Sequence, residues 1–240
     1  MGGEHASTAI TLGDETPPVP VRLERLAPQH APDAARLHVA AQPGTFLTAL
    51  GPDILQIVYE RLPSTTVGFG FAITLDACRD NQRIPIGFVS ATTSVGSLFV
   101  RTGLSRAGSL APRLISRYVR HPALIGRTLQ TVLYPFISKG AGDDVRQDSH
   151  GADGGSAELL SIMVEDQWRN HGVGAMLIDA LVAECSRRDL RHLDVTVDSA
   201  NGGARRFYER HGFALQQSFR LYGRDMCGYG RPIPQSDPAP

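Results

Sequence analysis

Residues 164–174, VEDQWRNHGVG, are the most informative segment of the sequence. An apolar strand, Leu159–Val164, ends here, a polar turn with two glycines follows, and a long helical pattern begins. The first turn of such a helix has unpaired backbone N–H groups and the positive end of the helix dipole. Because Gly172 and Gly174 lack a Cβ, a ligand can come close to the backbone. The junction therefore predicts a phosphate or pyrophosphate site, to which Arg169 can add a charge-assisted contact.

Two common phosphate-binding patterns fail on the residues present. A P-loop needs GxxxxGK[ST], and no lysine stands at this junction. A dinucleotide fingerprint needs GxGxxG/A, and here the third position is Leu177. The pattern that remains is Arg169-x-x-Gly172-x-Gly174. A second pattern follows one helix and one strand later, at 201–213, where NGGARRFYERHGF contains N-x-x-A-x-x-[FL]-Y-x-x-x-G-F at every named position.

Together these two motifs resemble the GCN5-related N-acetyltransferase (GNAT) superfamily, in which the first motif cradles the pyrophosphate of coenzyme A. The resemblance is specific over 157–215 and extends loosely over 19–235. It implies a mixed α/β (α+β) fold, with a central β-sheet flanked by helices. The helical insertion predicted between strands 3 and 4 departs from the family pattern, in which a short turn usually joins these strands. It also implies an N-acetyltransferase that uses acetyl-CoA as cosubstrate and no metal. The acetyl group would pass to a primary amine of a small-molecule acceptor, by direct attack in a ternary complex.

The resemblance assigns roles to particular residues. Tyr208 matches the tyrosine that acts as general acid toward the departing thiolate, although it would also serve as a core aromatic residue. Asn201 matches a residue whose amide contacts the cofactor or the backbone, and a helix N-cap is compatible with that role. The main chain of the strand before the turn would bind the pantetheine arm. The cofactor-binding set is Ile162, Met163, Val164, Arg169, Asn170, His171, Gly172, Val173, Gly174, Ala175, Asn201, Ala204 and Tyr208.

Glu158 is the candidate general base. It opens the strand that ends at Val164, at the place where one branch of the family carries a catalytic glutamate, and partial desolvation would raise its pKa. A solvated strand end is the alternative interpretation of Glu158. Deprotonation of the amine through water is another route, and His38, His171 and His211 are weaker candidates.

The sequence predicts a polar, disordered tail (1–18), a single domain (19–235) and a short disordered C-terminal tail (236–240). Within the domain, 98–140 carries seven basic residues and no acidic ones and is predicted to form two amphipathic helices, and 141–156 is predicted to form a flexible loop. Three interpretations of 98–140 stay open: a solvated face, a lid that attracts an anionic acceptor, and a basic surface that touches lipid.

Composition sets further limits. The 24 basic and 24 acidic residues balance, which argues against a general nucleic-acid coat. The three cysteines are far apart in the sequence, which favours a reducing compartment over a disulfide framework. We expect them to be small buried hydrophobic residues. Because no signal peptide or transmembrane segment is predicted, we expect a cytoplasmic protein.

Three further hypotheses accompany the resemblance. The C-terminal strands would allow a homodimer. A longer acyl-CoA or an acyl-carrier protein is an alternative acyl donor. A catalytically idle CoA-binding sensor is an alternative function.

Overall fold

The computed structural model of the chain describes residues 6–10, 19–43, 45–76, 83–98, 108, 155–221 and 223–235. Its centre is an eight-stranded sheet with the order β1-β2-β3-β4-β5-β6-β8-β7. Neighbouring strands are antiparallel except for the parallel pair β5–β6. The strands are β1 (Ala6–Ile10), β2 (Val19–Arg25), β3 (Gly68–Asp76), β4 (Arg83–Thr92), β5 (Ser156–Val164), β6 (His192–Asp198), β7 (Ala214–Leu221) and β8 (Arg224–Pro232).

Helices cover both faces of this sheet, so the predicted mixed α/β class is confirmed. Apolar residues at four-residue steps, Val173, Leu177 and Leu181, form a buried stripe on α4 that packs against one face. On the opposite face, α1 and α3 bury Leu37 and Leu55 against the sheet. The helices are α1 (Ala31–Ala41), α2 (Phe46–Leu50), α3 (Pro52–Arg61), α4 (Val173–Arg187) and α5 (Gly202–Arg210).

A buried carboxylate fixes the far end of α4 to the sheet. The side chain of Glu184 is only 2% exposed, and it accepts hydrogen bonds from Arg25 of β2 and from Arg187 and Arg188. The nitrogen–oxygen distances are 2.9, 2.6 and 2.7 Å in that order.

The two central strands part at one end. β5 pairs with β6 only from Ser156 to Leu159, although β5 continues to Val164 and β6 continues to Asp198. On its other side β5 remains paired with β4 as far as Val164. The sheet therefore has a gap between β5 and β6, beginning just beyond Leu159.

The structure differs from the sequence expectations in several places. Ala6–Ile10 lie within the predicted disordered tail but form a strand at the edge of the sheet, paired with β2. An edge strand needs a partner on one side only, so this short polar segment can form one. Phe46–Leu50 form a short helix that was not predicted. β5 begins at Ser156 rather than Leu159. Almost all of the predicted insertion 98–140 and loop 141–156 lies outside the described residues.

Candidate active site

The bend between β5 and α4 presents unpaired backbone amides. After a 3₁₀ turn at Asp166–Trp168, the chain adopts left-handed backbone conformations at Asn170 (φ 65°) and Gly172 (φ 82°). The Met176 N–H donates to the Gly172 carbonyl at 3.0 Å. The amides of residues 173–175 precede this donor in the first turn of α4 and lack intrahelical acceptors. They are suited to binding an anion, as the sequence predicts.

The two glycines of the bend serve different purposes. Gly172 is the N-cap of α4, and its positive φ is a conformation that residues with a Cβ rarely adopt. Gly174 has a different constraint, because a Cβ there would lie 3.0 Å from Cε2 of Phe207 on α5. The absence of a side chain at Gly174 thus lets α5 pack directly on the start of α4. The sequence argument considered only ligand approach and missed this contact.

Three side chains of the bend have polar atoms with few or no hydrogen-bond partners among the described residues. The Arg169 guanidinium pairs with Asp166 at 2.8 Å and donates through Nε to the Val164 carbonyl at 3.2 Å, but it remains half-exposed. Within the described part of the chain, Nδ1 of His171 is buried and has no hydrogen-bond partner. The same is true of Nε1 of Trp168, the only tryptophan of the chain. Trp168 is therefore a fluorescent reporter beside the bend.

The end of β5 offers its main chain to the gap. Ile162 and Val164 pack their side chains against the core on the α4 face, and Met163 packs on the α1/α3 face. Beyond Leu159 the backbone edge that points toward β6 pairs with no strand in the part of the chain that the structure describes. An extended ligand arm could pair with this edge through backbone N–H and C=O groups, which is the role predicted for these three residues.

Tyr208 on α5 is buried in the same core. Its ring lies edge-on to Phe207 and Phe213, with centroid distances of 5.4 and 5.3 Å. Burial raises the pKa of Tyr208 well above its usual value, so the phenol keeps its proton at neutral pH. No described residue makes a hydrogen bond with this hydroxyl, which leaves it available to a ligand.

Asn201 acts in the structure as the N-cap of α5. Its Oδ1 accepts a hydrogen bond from the Ala204 N–H at 3.0 Å. Ala204 is half-buried and packs against the core that contains Tyr208. The capping role that the sequence allowed for Asn201 is present, and it sets where α5 begins.

Glu158 is the third residue of β5, not its first, and its side chain is half-buried. It lies opposite Thr92 of β4 and beside Asp194 of β6. Burial, with a smaller contribution from the Asp194 charge, raises the pKa of Glu158 from 4.5 to about 7. Its carboxyl makes no hydrogen bond or salt bridge to any residue in the described ranges. Asp194 escaped the sequence argument because only the parallel register places it next to Glu158.

The other candidate bases are less suitable. His38 is buried beneath α3, and burial lowers its pKa to about 4. The Nδ1 atom of His211 lies 2.7 Å from the Phe207 carbonyl, at the end of α5. Burial raises the pKa of the Cys185 thiol to about 12, which makes it a poor nucleophile.

The structure also bears on metals and membranes, within the residues that it describes. These contain no cluster of three or more His, Cys, Asp or Glu side chains that could hold a metal ion. None of their helices is both long and apolar enough to span a bilayer.

Comparison with known proteins identifies the class. Residues 138–213 match the model of the Acetyltransferase (GNAT) family. A GNAT-family acetyltransferase from Streptococcus pneumoniae matches with a TM-score of 0.50 and 16% identity, over 89% of this chain and 99% of that one. NAA60 from Arabidopsis thaliana in complex with acetyl-CoA matches with a TM-score of 0.56 and 15% identity, over 89% of this chain and 98% of that one.

The ribosomal-protein-S18-alanine N-acetyltransferase from Escherichia coli gives a TM-score of 0.51 and 14% identity, over 90% of this chain and 96% of that one. No curated protein matches by sequence. At these identities the solved structures establish the fold alone, which is the mixed α/β fold of the acetyltransferases. Residues 138–213 match the GNAT family model, which confirms the resemblance predicted from the two motifs.

Proposed function

We propose that this protein is an N-acetyltransferase that transfers the acetyl group of acetyl-CoA to a primary amine, by direct attack in a ternary complex. One observation carries the proposal: the gap between β5 and β6 leads directly into a bend with unpaired amides. The gap matches an extended pantetheine arm and the bend matches a pyrophosphate. Acetyl-CoA is bound by NAA60, whose fold is similar, in its solved complex.

The residues present can carry the proton transfers of this reaction. An amine is protonated at neutral pH and must lose a proton before it attacks. Glu158, with a pKa of about 7, is ionised often enough near neutral pH to accept that proton, directly or through water. The amine nitrogen then bonds to the thioester carbon, the carbon–sulfur bond breaks, and the thiolate takes a proton from Tyr208. The nitrogen loses its second proton as the amide forms, and that proton returns through water to the Tyr208 oxygen. The buried phenol of Tyr208 suits this donor role.

The charge around the proposed base favours a cationic acceptor. Glu158 and Asp194 are both carboxylates, and they lie side by side on adjacent strands. An ammonium group would relieve the repulsion between them before it gives up its proton. The predicted attraction of an anionic acceptor by 98–140 is a separate hypothesis. Neutralising Arg113, Arg117 and Arg120 tests it, and an unchanged Michaelis constant for an anionic acceptor would refute it.

A thiol-release assay tests the proposed function. Acetyl-CoA is offered with a panel of amines that includes polyamines, amino sugars and a peptide with a free α-amino group, and binding of acetyl-CoA is followed by Trp168 fluorescence. We expect acetyl-CoA binding and release of CoA with at least one amine. Binding without release under any condition would favour the sensor alternative, and absence of both would refute the proposal.

A matched pair of variants tests the role of Tyr208. Tyr208→Phe should lower kcat by about 100-fold with little change in acetyl-CoA affinity, because general acid catalysis contributes 10²–10⁴-fold. Tyr229→Phe removes a hydroxyl from another buried tyrosine, whose partners are Arg205 and Glu209, and should keep kcat within about threefold. Equal effects of the two substitutions would argue against a chemical role for Tyr208.

A further inference from the structure

A chain of buried hydroxyl and imidazole groups joins α1, α3 and β5. The Tyr59 hydroxyl on α3 donates to Oγ of Ser161 on β5 at 3.1 Å. It also lies 2.5 Å from Nδ1 of His38 on α1. Because a phenol has only one proton, His38 must donate its Nδ1 hydrogen to the Tyr59 oxygen. The edge of the Tyr59 ring packs on Phe88 at 5.0 Å between centroids, which fixes the direction of the hydroxyl.

These groups are neutral at working pH. Burial lowers the pKa of His38 to about 4 and raises that of Tyr59 far above its usual value. Among the described residues, Nε2 of His38 finds no hydrogen-bond donor, and the Ser90 hydroxyl opposite Ser161 is also buried without a partner. A neutral chain of this kind is unsuited to removing a proton from an ammonium group. Its function is to fix geometry.

The hydrogen-bonded series His38–Tyr59–Ser161 ends at an irregularity of β5. Ala91 of β4 lies opposite Leu159, but the residue before it in β4, Ser90, lies opposite Ser161. Leu160 is therefore an extra residue, a β-bulge. Leu160 packs with the α1/α3 core, and Ser161 bonds to Tyr59 on that same face. The last β5–β6 pair is at Leu159, so the bulge stands at the apex of the gap.

We infer that Tyr59 is a positioning residue for acyl transfer, which holds the bulge at Leu160–Ser161 in place, and that His38 orients the Tyr59 hydroxyl. The inference rests on the proposed function, in which the thioester lies at the apex of the gap. The apex would touch the reacting end of acetyl-CoA, whereas the pyrophosphate is bound several residues away, at 169–175. Displacement of the bulge should therefore reduce the rate of transfer more than the affinity for CoA.

Hydrogen exchange tests whether Tyr59 anchors the bulge. The variants are Tyr59→Phe and Ser161→Ala, which remove the same hydrogen bond from opposite sides, so that one remains informative if the other fails to fold. Tyr229→Phe is the matched control. We expect amide exchange over 159–163 to become about 10-fold faster in both variants, with exchange of α4 unchanged. Unchanged exchange at the bulge would overturn the inference, whatever the activity.

Kinetics test the consequence for the reaction. We expect kcat to fall about 10-fold in each single variant, with the Kd of CoA, read from Trp168 fluorescence, within twofold. The double variant should lose no more than Tyr59→Phe alone, because that substitution already removes the bond to Ser161. Independent, multiplying losses, or kcat within twofold of the parent, would refute the positioning role. If the parent protein acetylates no amine, the proposed function fails while the exchange measurement still decides the anchoring.

Discussion

Glu158→Gln should make the protein slower but more stable. Folding raises the pKa of this carboxyl from 4.5 to about 7, so the folded state favours the protonated form. The stabilisation from that protonated form is full below pH 4.5 and is lost as the pH rises through 7. Above pH 7 the parent therefore keeps a charge in a site that disfavours it. Glutamine has nearly the same shape and never carries that charge.

The size of the effect follows from the shift in pKa. At about 1.4 kcal/mol per unit, the rise to about 7 corresponds to about 3 kcal/mol at most. Because Glu158 is half-buried and retains some water, we expect a gain of about 2 kcal/mol at pH 8. For a chain of this size that raises Tm by about 4–8 °C. Activity should fall by about 100-fold, and the parent kcat should drop about 10-fold per pH unit below 7.

Thermal unfolding at pH 8 and pH 4.5, together with kcat measured from pH 5.5 to 8.5, checks both halves of this prediction. The gain in Tm should vanish at pH 4.5, where the parent carboxyl is protonated. Asp194→Asn should move the acidic limb of the parent profile to lower pH, since one of the two causes of the raised pKa is removed. Asp179→Asn changes an exposed carboxylate on α4 and is the control. A Glu158→Gln protein that is less stable at pH 8, or that keeps full activity, would refute the assignment.

Three further substitutions probe the surroundings of the site. Gly174→Ala should destabilise the protein by about 1 kcal/mol in urea titrations, because the new Cβ meets Phe207 at 3.0 Å. The control is Gly203→Ala, at the equivalent helical position of α5 and free of such a contact. It should be neutral or stabilising. Glu184→Gln should cost about 2 kcal/mol at pH 7. Burial alone would raise the Glu184 pKa, but hydrogen bonds from arginines lower it to about 2. The parent therefore loses this stability as the pH falls from 4.5 toward 2. A Glu184→Gln variant whose stability depends on acid pH in the same way as the parent would contradict this role of Glu184. Asn201→Ala should cost about 1 kcal/mol of unfolding free energy through the lost α5 cap, and an unchanged urea midpoint would show that the cap contributes nothing.

Local sequence patterns predict the elements around the bend well. The apolar run before Val164, the spacing of Val173, Leu177 and Leu181, and the Asn201 cap all act within a few residues of one another. Such short-range periodicity and capping chemistry are visible in a single sequence. The β5–α4–β6 crossover and its parallel strand pair follow from the same signals.

Contacts between distant elements could not be predicted in this way. Asp194 comes next to Glu158 only through the register of β5 and β6. The hydrogen bond from Tyr59 to Ser161 joins residues 102 positions apart. A tyrosine within a helical pattern indicates a core position, and nothing nearby in the sequence indicates a partner on a strand. The bulge at Leu160 is equally hidden, because it depends on how β4 pairs with β5.

The brief pairing between β5 and β6 has a consequence for the fate of the protein. Among the described residues, four β5–β6 pairs, Ser156 to Leu159 with their partners, join the two halves of the sheet. If the acyl donor fills the remaining gap, it becomes part of what holds these halves together, and a concentration 100 times its Kd would add about 2.7 kcal/mol. Resistance to heat and to proteases would then follow the supply of acetyl-CoA, and a starved cell would clear this protein sooner than a well-fed one.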